Sequence, residues 1–158
     1  MATRIDHFDN LDAPAVNSIV PAANVVVQDD QGRILMIQRS DNDNWAVPGG
    51  GMELGESLPS TAEREVLEET GITCKVTGLV GIYTDPRHVT HFTSNDEVRQ
   101  EFSVIFTAEY VSGELTASDE TPEVRWIEPK EVEGLTMDRS MRLRISHFLD
   151  GSGKPHLG

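Results

Sequence analysis

Residues 50 to 72 read Gly50, then GMELG, Glu56, then SLPSTAE, then Arg64-Glu65-Val66-Leu67-Glu68-Glu69-Thr70-Gly71-Ile72. This stretch predicts a helix. Ser57 can cap it, Pro59 is tolerated in its first turn, and Leu58, Ala62 and Val66 recur every four residues as an apolar stripe. Gly71 suits the left-handed residue that ends a helix. Glu65, Glu68 and Glu69 stand three and four apart, which stacks their carboxylates on one helical face. Like charges at that spacing repel, and a hard divalent cation bound through oxygen removes the repulsion. The plain alternative is a solvated acidic face with Arg64 paired to Glu68. That alternative does not require Gly50, Glu56 and Gly71 at set distances. With residue usage of roughly 5–9% per type, such a pattern arises by chance on the order of once in 10⁹ windows.

Outward from the helix, the order of elements is that of a mixed α/β domain. Before it, Pro21 to Gln28 carries Val25-Val26-Val27 as a short buried strand. Asp29 to Gly32 turns, and Arg33 to Arg39 returns as a second strand. Trp45 to Pro48 is a short extended piece ending in Gly49-Gly50-Gly51, with Trp45 read as packing under the glycine run. After the helix, Thr73 to Thr84 is strand-like and Asp85 to Glu97 reads as a long loop. In Glu101 to Val111 the residues Phe102, Val104, Phe106, Ala108 and Tyr110 alternate onto one face of a strand. Val124 to Ile127 is a further strand, and Asp138 to Leu149 a helix with Met141, Ile145, Phe148 and Leu149 at helical spacing. Three segments are expected: an irregular arm at 1–18, one domain at 19–150, and a flexible tail at 151–158.

A chain of 158 residues, 37% hydrophobic and 25% charged, suits one globular domain. Its formal charge of −14 argues against a nucleic-acid polymer or an anionic membrane as partner, since either needs clustered basic residues. No segment approaches the ~20 apolar residues of a membrane span. Cys74 is the single cysteine, so no intrachain disulfide can form; a reducing cytoplasm fits, and Cys74 reads as a core filler. His88 and His91, with no cysteine nearby, make a poor zinc pair.

Every defined position of the stretch Gly50 to Ile72 resembles the Nudix box: Gly, five residues, Glu, seven residues, Arg-Glu-aliphatic-any-Glu-Glu-any-Gly-aliphatic. The resemblance implies an α/β fold, the Nudix-type α/β/α sandwich with a mixed β-sheet. It implies hydrolysis of a nucleoside diphosphate linked to a further group, with Mg²⁺ or Mn²⁺ as cofactor. By the same likeness Glu65 and Glu69 are the principal metal ligands, Glu68 a shared or second-metal ligand, and the Gly50 carbonyl a backbone ligand. Arg64 would orient Glu65, and Glu56 would be a supporting carboxylate. The family often draws its general base from a loop before a late strand; Glu120 is the candidate, with Glu97, Glu101 and a box glutamate as rivals. Arg39, Arg87 and His88 are the expected substrate contacts.

The partner expected is a small-molecule nucleotide. Pro86, some fifteen residues beyond the box, resembles a proline of ADP-ribose and sugar-nucleotide hydrolases, so that class is favoured. A nucleoside triphosphate pyrophosphatase is the alternative, and a non-catalytic nucleotide-sensing domain is the third reading. The ADP-ribose type also raises a homodimer, for which residues 1–18 are a short extension.

Overall fold

Val25, Val26 and Val27 are all buried although adjacent residues of a strand face opposite sides. The arrangement of the chain explains it. In the computed structural model, which describes residues 3–158, their strand runs inside an eight-stranded mixed sheet with a helix against each face. Val25 and Val27 pack with Ala62 and Val66 of one helix; Val26 packs with Met141 and Ile145 of another. A sheet covered on both sides needs apolar residues at consecutive positions.

In chain order the elements are β1 (Arg4–Phe8), β2 (Ser18–Ile19), β3 (Ala22–Gln28), β4 (Ile34–Gln38), β5 (Trp45–Ala46), β6 (Gly49–Gly51), α1 (Leu58–Thr70), β7 (Ile72–Tyr83), β8 (His88–Phe92), β9 (Glu97–Gln100), β10 (Ser103–Gly113), β11 (Glu123–Ile127), α2 (Pro129–Val132), α3 (Arg139–Asp150) and β12 (His156–Leu157). The large sheet is ordered β11-β4-β3-β10-β7-β12, with β5 on β4 and β6 on β3. Its β3–β10 pair is parallel and its β10–β7 pair antiparallel. The large sheet with α1 and α3 on its two faces is an α/β/α sandwich of mixed topology, and β1-β8-β9-β2 form a second, smaller sheet. No helix among the described residues is long and apolar enough to cross a membrane.

Helix α1 starts and stops where its residues direct. Ser57 caps it by accepting from Ser60 N, and Ser60 Oγ accepts in return from Ser57 N, a reciprocal pair that satisfies two free donors. Gly71, at φ 79°, donates its N–H to Leu67 O and ends the helix.

Three expectations are corrected. The stretch Asp85 to Glu97 is not a long loop: it forms β8 and a tight return into β9, because its residues pair with β1 and β9. The arm is not irregular throughout, since β1 pairs with β8 from Arg4↔Phe92 to Phe8↔His88. The last residues dock as β12, parallel to β7, with His156 against Gly81 and its ring stacked on those of both Tyr83 and His147, at ring-centre distances of 4.8 and 4.2 Å. The alternation read in β10 holds through its middle: β10 runs in unbroken register with β3 from Ser103 to Glu109, and Phe106 and Ala108 pack in one cluster while Ile105 packs in the other. The register irregularities against β7 fall at Val80 and Thr77 of β7 and at Val111 of β10.

Candidate active site

Arg64 is the hub of the box. Its Nε donates to Glu56 Oε2 at 2.7 Å and its Nη2 to Glu56 Oε1 at 3.0 Å, a bidentate fork. Its Nη1 reaches Glu65 Oε1 at 2.9 Å and Glu68 Oε2 at 3.1 Å, and Nη2 also bonds Gly51 O. Glu56 thus fixes the arginine that holds Glu65 in turn. The Arg64 guanidinium brings the Glu56 carboxyl down to about 2, helped by the Glu53 N–H. Glu68 is different: 60% exposed, with Arg64 as its ion-pair partner, it lies at the rim.

Glu65 and Glu69 face inward. Strand β6 pairs with β3 and so lies beside α1, where Gly49 N donates to Glu69 Oε1 at 2.9 Å. A Cβ at Gly50 would stand 2.5 Å from Glu65 Oε1, so only glycine lets the carboxylate and backbone approach this closely. Burial pushes the Glu69 carboxyl up to about 8, with the charges of Glu65 and Glu120 adding to the rise. Burial likewise raises Glu65. Crowded, partly desolvated carboxylates beside backbone oxygens form the donor set that a hard divalent cation takes. The residues present fit such an ion by chemistry. Among the described residues no three carboxylate, imidazole or thiolate groups already converge as ligands, because Arg64 draws Glu65 and Glu68 to itself.

A cavity of 590 Å³ gathers Glu65, Glu69, Asp119, Glu120 and Arg39. The fold therefore brings Glu120, fifty-one positions beyond Glu69 in the chain, to the box. Ser40 N donates to Glu120 O, and Thr121 Oγ1 donates to Glu69 O, so the loop is tied to both β4 and α1. The rivals are committed elsewhere: Glu97 to Arg99 and Ser18, Glu101 to His88 and Arg144. Arg39 is also brought in, held by Asp41 at 2.7 Å and close enough to Glu69 to feel its charge.

Arg39, Gly49 and Glu69 also line a narrower pocket of 190 Å³ between the two sheets, with Asn24 and Ser103 on one side and Phe92 and Arg99 on the other. His88 lies in its wall, 6% exposed, bonded to Asp6 Oδ1 at 3.0 Å and 3.3 Å from Glu101 Oε1. Burial opposes a charge there, yet the two carboxylates carry the imidazole above its usual value. Arg87 is not brought to the box. It is 71% exposed, paired with Asp85 and Asp9, on an outer hollow with Phe8 and Arg139. Trp45 is buried in the core, and Cys74 is buried with its thiol pushed up to about 11.

Two participants were not singled out from the sequence. Asp6 comes from the arm, and nothing local marks it. Arg144 carries a signal that was readable: it falls on the apolar face of α3, between Met141 and Ile145, where a charge is out of place.

A sheet clasped by two helices, with a helical glutamate row against a glycine strand, defines a class of metal-dependent phosphoryl hydrolases. The NUDIX domain model matches residues 19–148, and the chain belongs to the Nudix family. It is a hydrolase acting on phosphoric anhydride bonds. It is 36% identical over 145 residues to a MutT-like protein of Streptomyces ambofaciens, covering 92% of this chain and 84% of that one. It is 31% identical to an ADP-ribose pyrophosphatase of Methanocaldococcus jannaschii over 74% of this chain and 66% of that protein. In fold it resembles a MutT protein of Methanosarcina mazei, with TM-score 0.69 and 24% identity over 92% of this chain and all of that one.

Proposed function

We propose that this protein cleaves nucleoside diphosphate derivatives of the ADP-ribose or sugar-nucleotide type, with Mg²⁺ or Mn²⁺. The observation that carries the reading is the joining of two cavities: the one that holds Glu65, Glu69 and Glu120 shares Arg39, Gly49 and Glu69 with the pocket between the sheets. A diphosphate at the junction leaves room for a group on either side. The nucleoside enters the inner pocket, and the second group lies toward Ser40, Asp41 and Asp119, whose polar side chains suit sugar hydroxyls.

Glu65 and Glu69, with Glu68 and the Gly50 carbonyl, would hold the metal. When bound, a divalent ion supplies charge neutralisation at the phosphoryl oxygens and lowers the pKa of a water. The protein's own groups supply position and proton transfer. Glu56 and Arg64 hold Glu65 in place, Arg39 meets the diphosphate, and Glu120 accepts the proton of the attacking water. The water oxygen bonds to phosphorus, and the bridging oxygen leaves with the second phosphate.

The test is a substrate panel with Mg²⁺ and with Mn²⁺, both products identified, and an EDTA control. Release of a nucleoside monophosphate and a sugar phosphate is expected. Brisk pyrophosphate release from triphosphates, with ADP-ribose and sugar nucleotides untouched, would reject this substrate class in favour of triphosphates.

A further inference from the structure

Arg144 is 6% exposed, on the buried face of α3 rather than with the exposed Arg142. Its Nη2 bonds Glu101 Oε1 at 2.5 Å, and its guanidinium lies over the Tyr83 ring, 5.4 Å from the centre. Its Nε–H has no partner, and it is the one buried side-chain nitrogen or oxygen so left among the described residues. A buried donor with nothing to bond is costly, so its retention calls for an acceptor. Glu101 shows the converse. Its 3.3 Å approach to His88 and its bond to Arg144 run through Oε1, and no hydrogen bond among the described residues reaches Oε2.

The two residues are braced from behind. Asp6 holds His88 Nε2, and His88 Nδ1 faces Glu101 Oε1, so negative and positive groups alternate through Asp6, His88, Glu101 and Arg144. Both Glu101 and Arg144 line the inner pocket that Glu69 also lines. Glu101 and Arg144, which stand between this pocket and the outer hollow, therefore hold one unclaimed donor and one unclaimed acceptor on two residues that are themselves hydrogen-bonded. A phosphate brings acceptors alone and would meet the Glu101 charge. An alkyl group would leave both unpaired. The complement is a flat edge with adjacent acceptor and donor, which is the amide or amidine edge of a nucleobase. Phe92, with Arg99 over its ring at 4.6 Å, adds a flat wall to the same pocket.

We propose that Glu101 and Arg144 read the base of the substrate: Arg144 Nε–H donates to its ring or carbonyl acceptor, and Glu101 Oε2 accepts from its N–H. Asp6 and His88 are positioning residues for the pair. The proposal rests on the reading that the nucleoside enters this pocket.

The experiment measures kcat/KM for ADP-, GDP-, UDP- and CDP-glucose. The wild type should separate the best base from the worst by about tenfold or more, the scale of a paired base contact. Arg144→Lys and Glu101→Gln, checked for folding by circular dichroism, should bring the four within about threefold. A wild type indifferent to the base, or folded variants that keep the full separation, overturns the proposal. Should either variant fail to fold, calorimetry on the wild type in EDTA decides. The preferred nucleoside monophosphate is compared with the same nucleotide carrying hydrogen in place of the exocyclic group. Weaker binding of the hydrogen analogue by about tenfold supports the pair, and equal binding overturns it. If triphosphates alone are cleaved, the substrate class falls while the four triphosphates still test the pair.

Discussion

Replacing Glu69 by Gln should stabilise the metal-free protein while abolishing its response to metal. The carboxyl is raised from the ordinary 4.5 to about 8 by burial, with the Glu65 and Glu120 charges adding to it and the Gly49 N–H opposing. Below 4.5 it is protonated whether the chain is folded or not, so stability is unaffected. Between 4.5 and about 8 the unfolded chain releases the proton that the fold retains, so metal-free stability falls as pH rises; above about 8 the loss is complete. The cost is about 3 kcal/mol at pH 7 and about 4 kcal/mol at pH 8, at 1.36 kcal/mol per unit. Gln carries no charge and its amide oxygen can keep the Gly49 N–H. At roughly 2–4 °C per kcal/mol for a chain of this length, Glu69→Gln should melt about 8–16 °C above wild type in EDTA at pH 8. The gain should vanish near pH 4, and the difference between the two proteins cancels the other titrating groups. Mn²⁺ in hundredfold excess over its Kd should restore about 2.7 kcal/mol to the wild type and little to the variant. The assay is thermal melting by circular dichroism across pH 4 to 9, with EDTA or Mn²⁺. A variant no more stable than wild type at pH 8 in EDTA would refute the electrostatic reasoning. Equal Mn²⁺ stabilisation of both would refute Glu69 as a ligand.

Two further outcomes follow from the geometry. Arg64→Lys keeps the charge but loses the fork to Glu56, so Mn²⁺ affinity or kcat should fall about 10–100-fold, as for other residues that orient ligands; unchanged metal titration and turnover would remove Arg64 from the positioning of Glu65. Glu120→Gln should lower kcat about 10²-fold or more with KM nearly constant, read from initial rates, because proton acceptance is confined to the transition state; a kcat near wild type would pass the role to a box glutamate.

The box was legible because its chemistry is local. Glu56, Arg64, Glu65 and Glu69 lie within fourteen positions, and helix geometry alone relates most of them. Even there the helical row was uneven in outcome. Glu68 shares the spacing of its neighbours, yet it sits at the rim, since burial depends on what packs against each turn. Glu120 could be nominated from its place before β11, but its approach to Glu69 depends on the Ser40 and Thr121 bonds. His88 was read as a loop residue and proved to be a buried strand residue, because β1 comes from eighty positions away to cover it.

Period and punctuation therefore settled the helices: Ser57 and Gly71 bound α1, Asp138 and Gly151 bound α3, and apolar spacing chose the faces they bury. The triple valine of β3 likewise announced a short buried strand. Strand partners were another matter. Pairing of β1 with β8, docking of β12 on β7 and the register shifts between β7 and β10 depend on which edges and volumes remain once the core has closed. So does the pocket itself, whose walls come from Asn24, Glu69, His88, Glu101 and Arg144, groups that no local rule relates. A hydrogen bond between residues eighty apart costs chain entropy that only the collective burial of the core offsets, and that sum belongs to the whole fold.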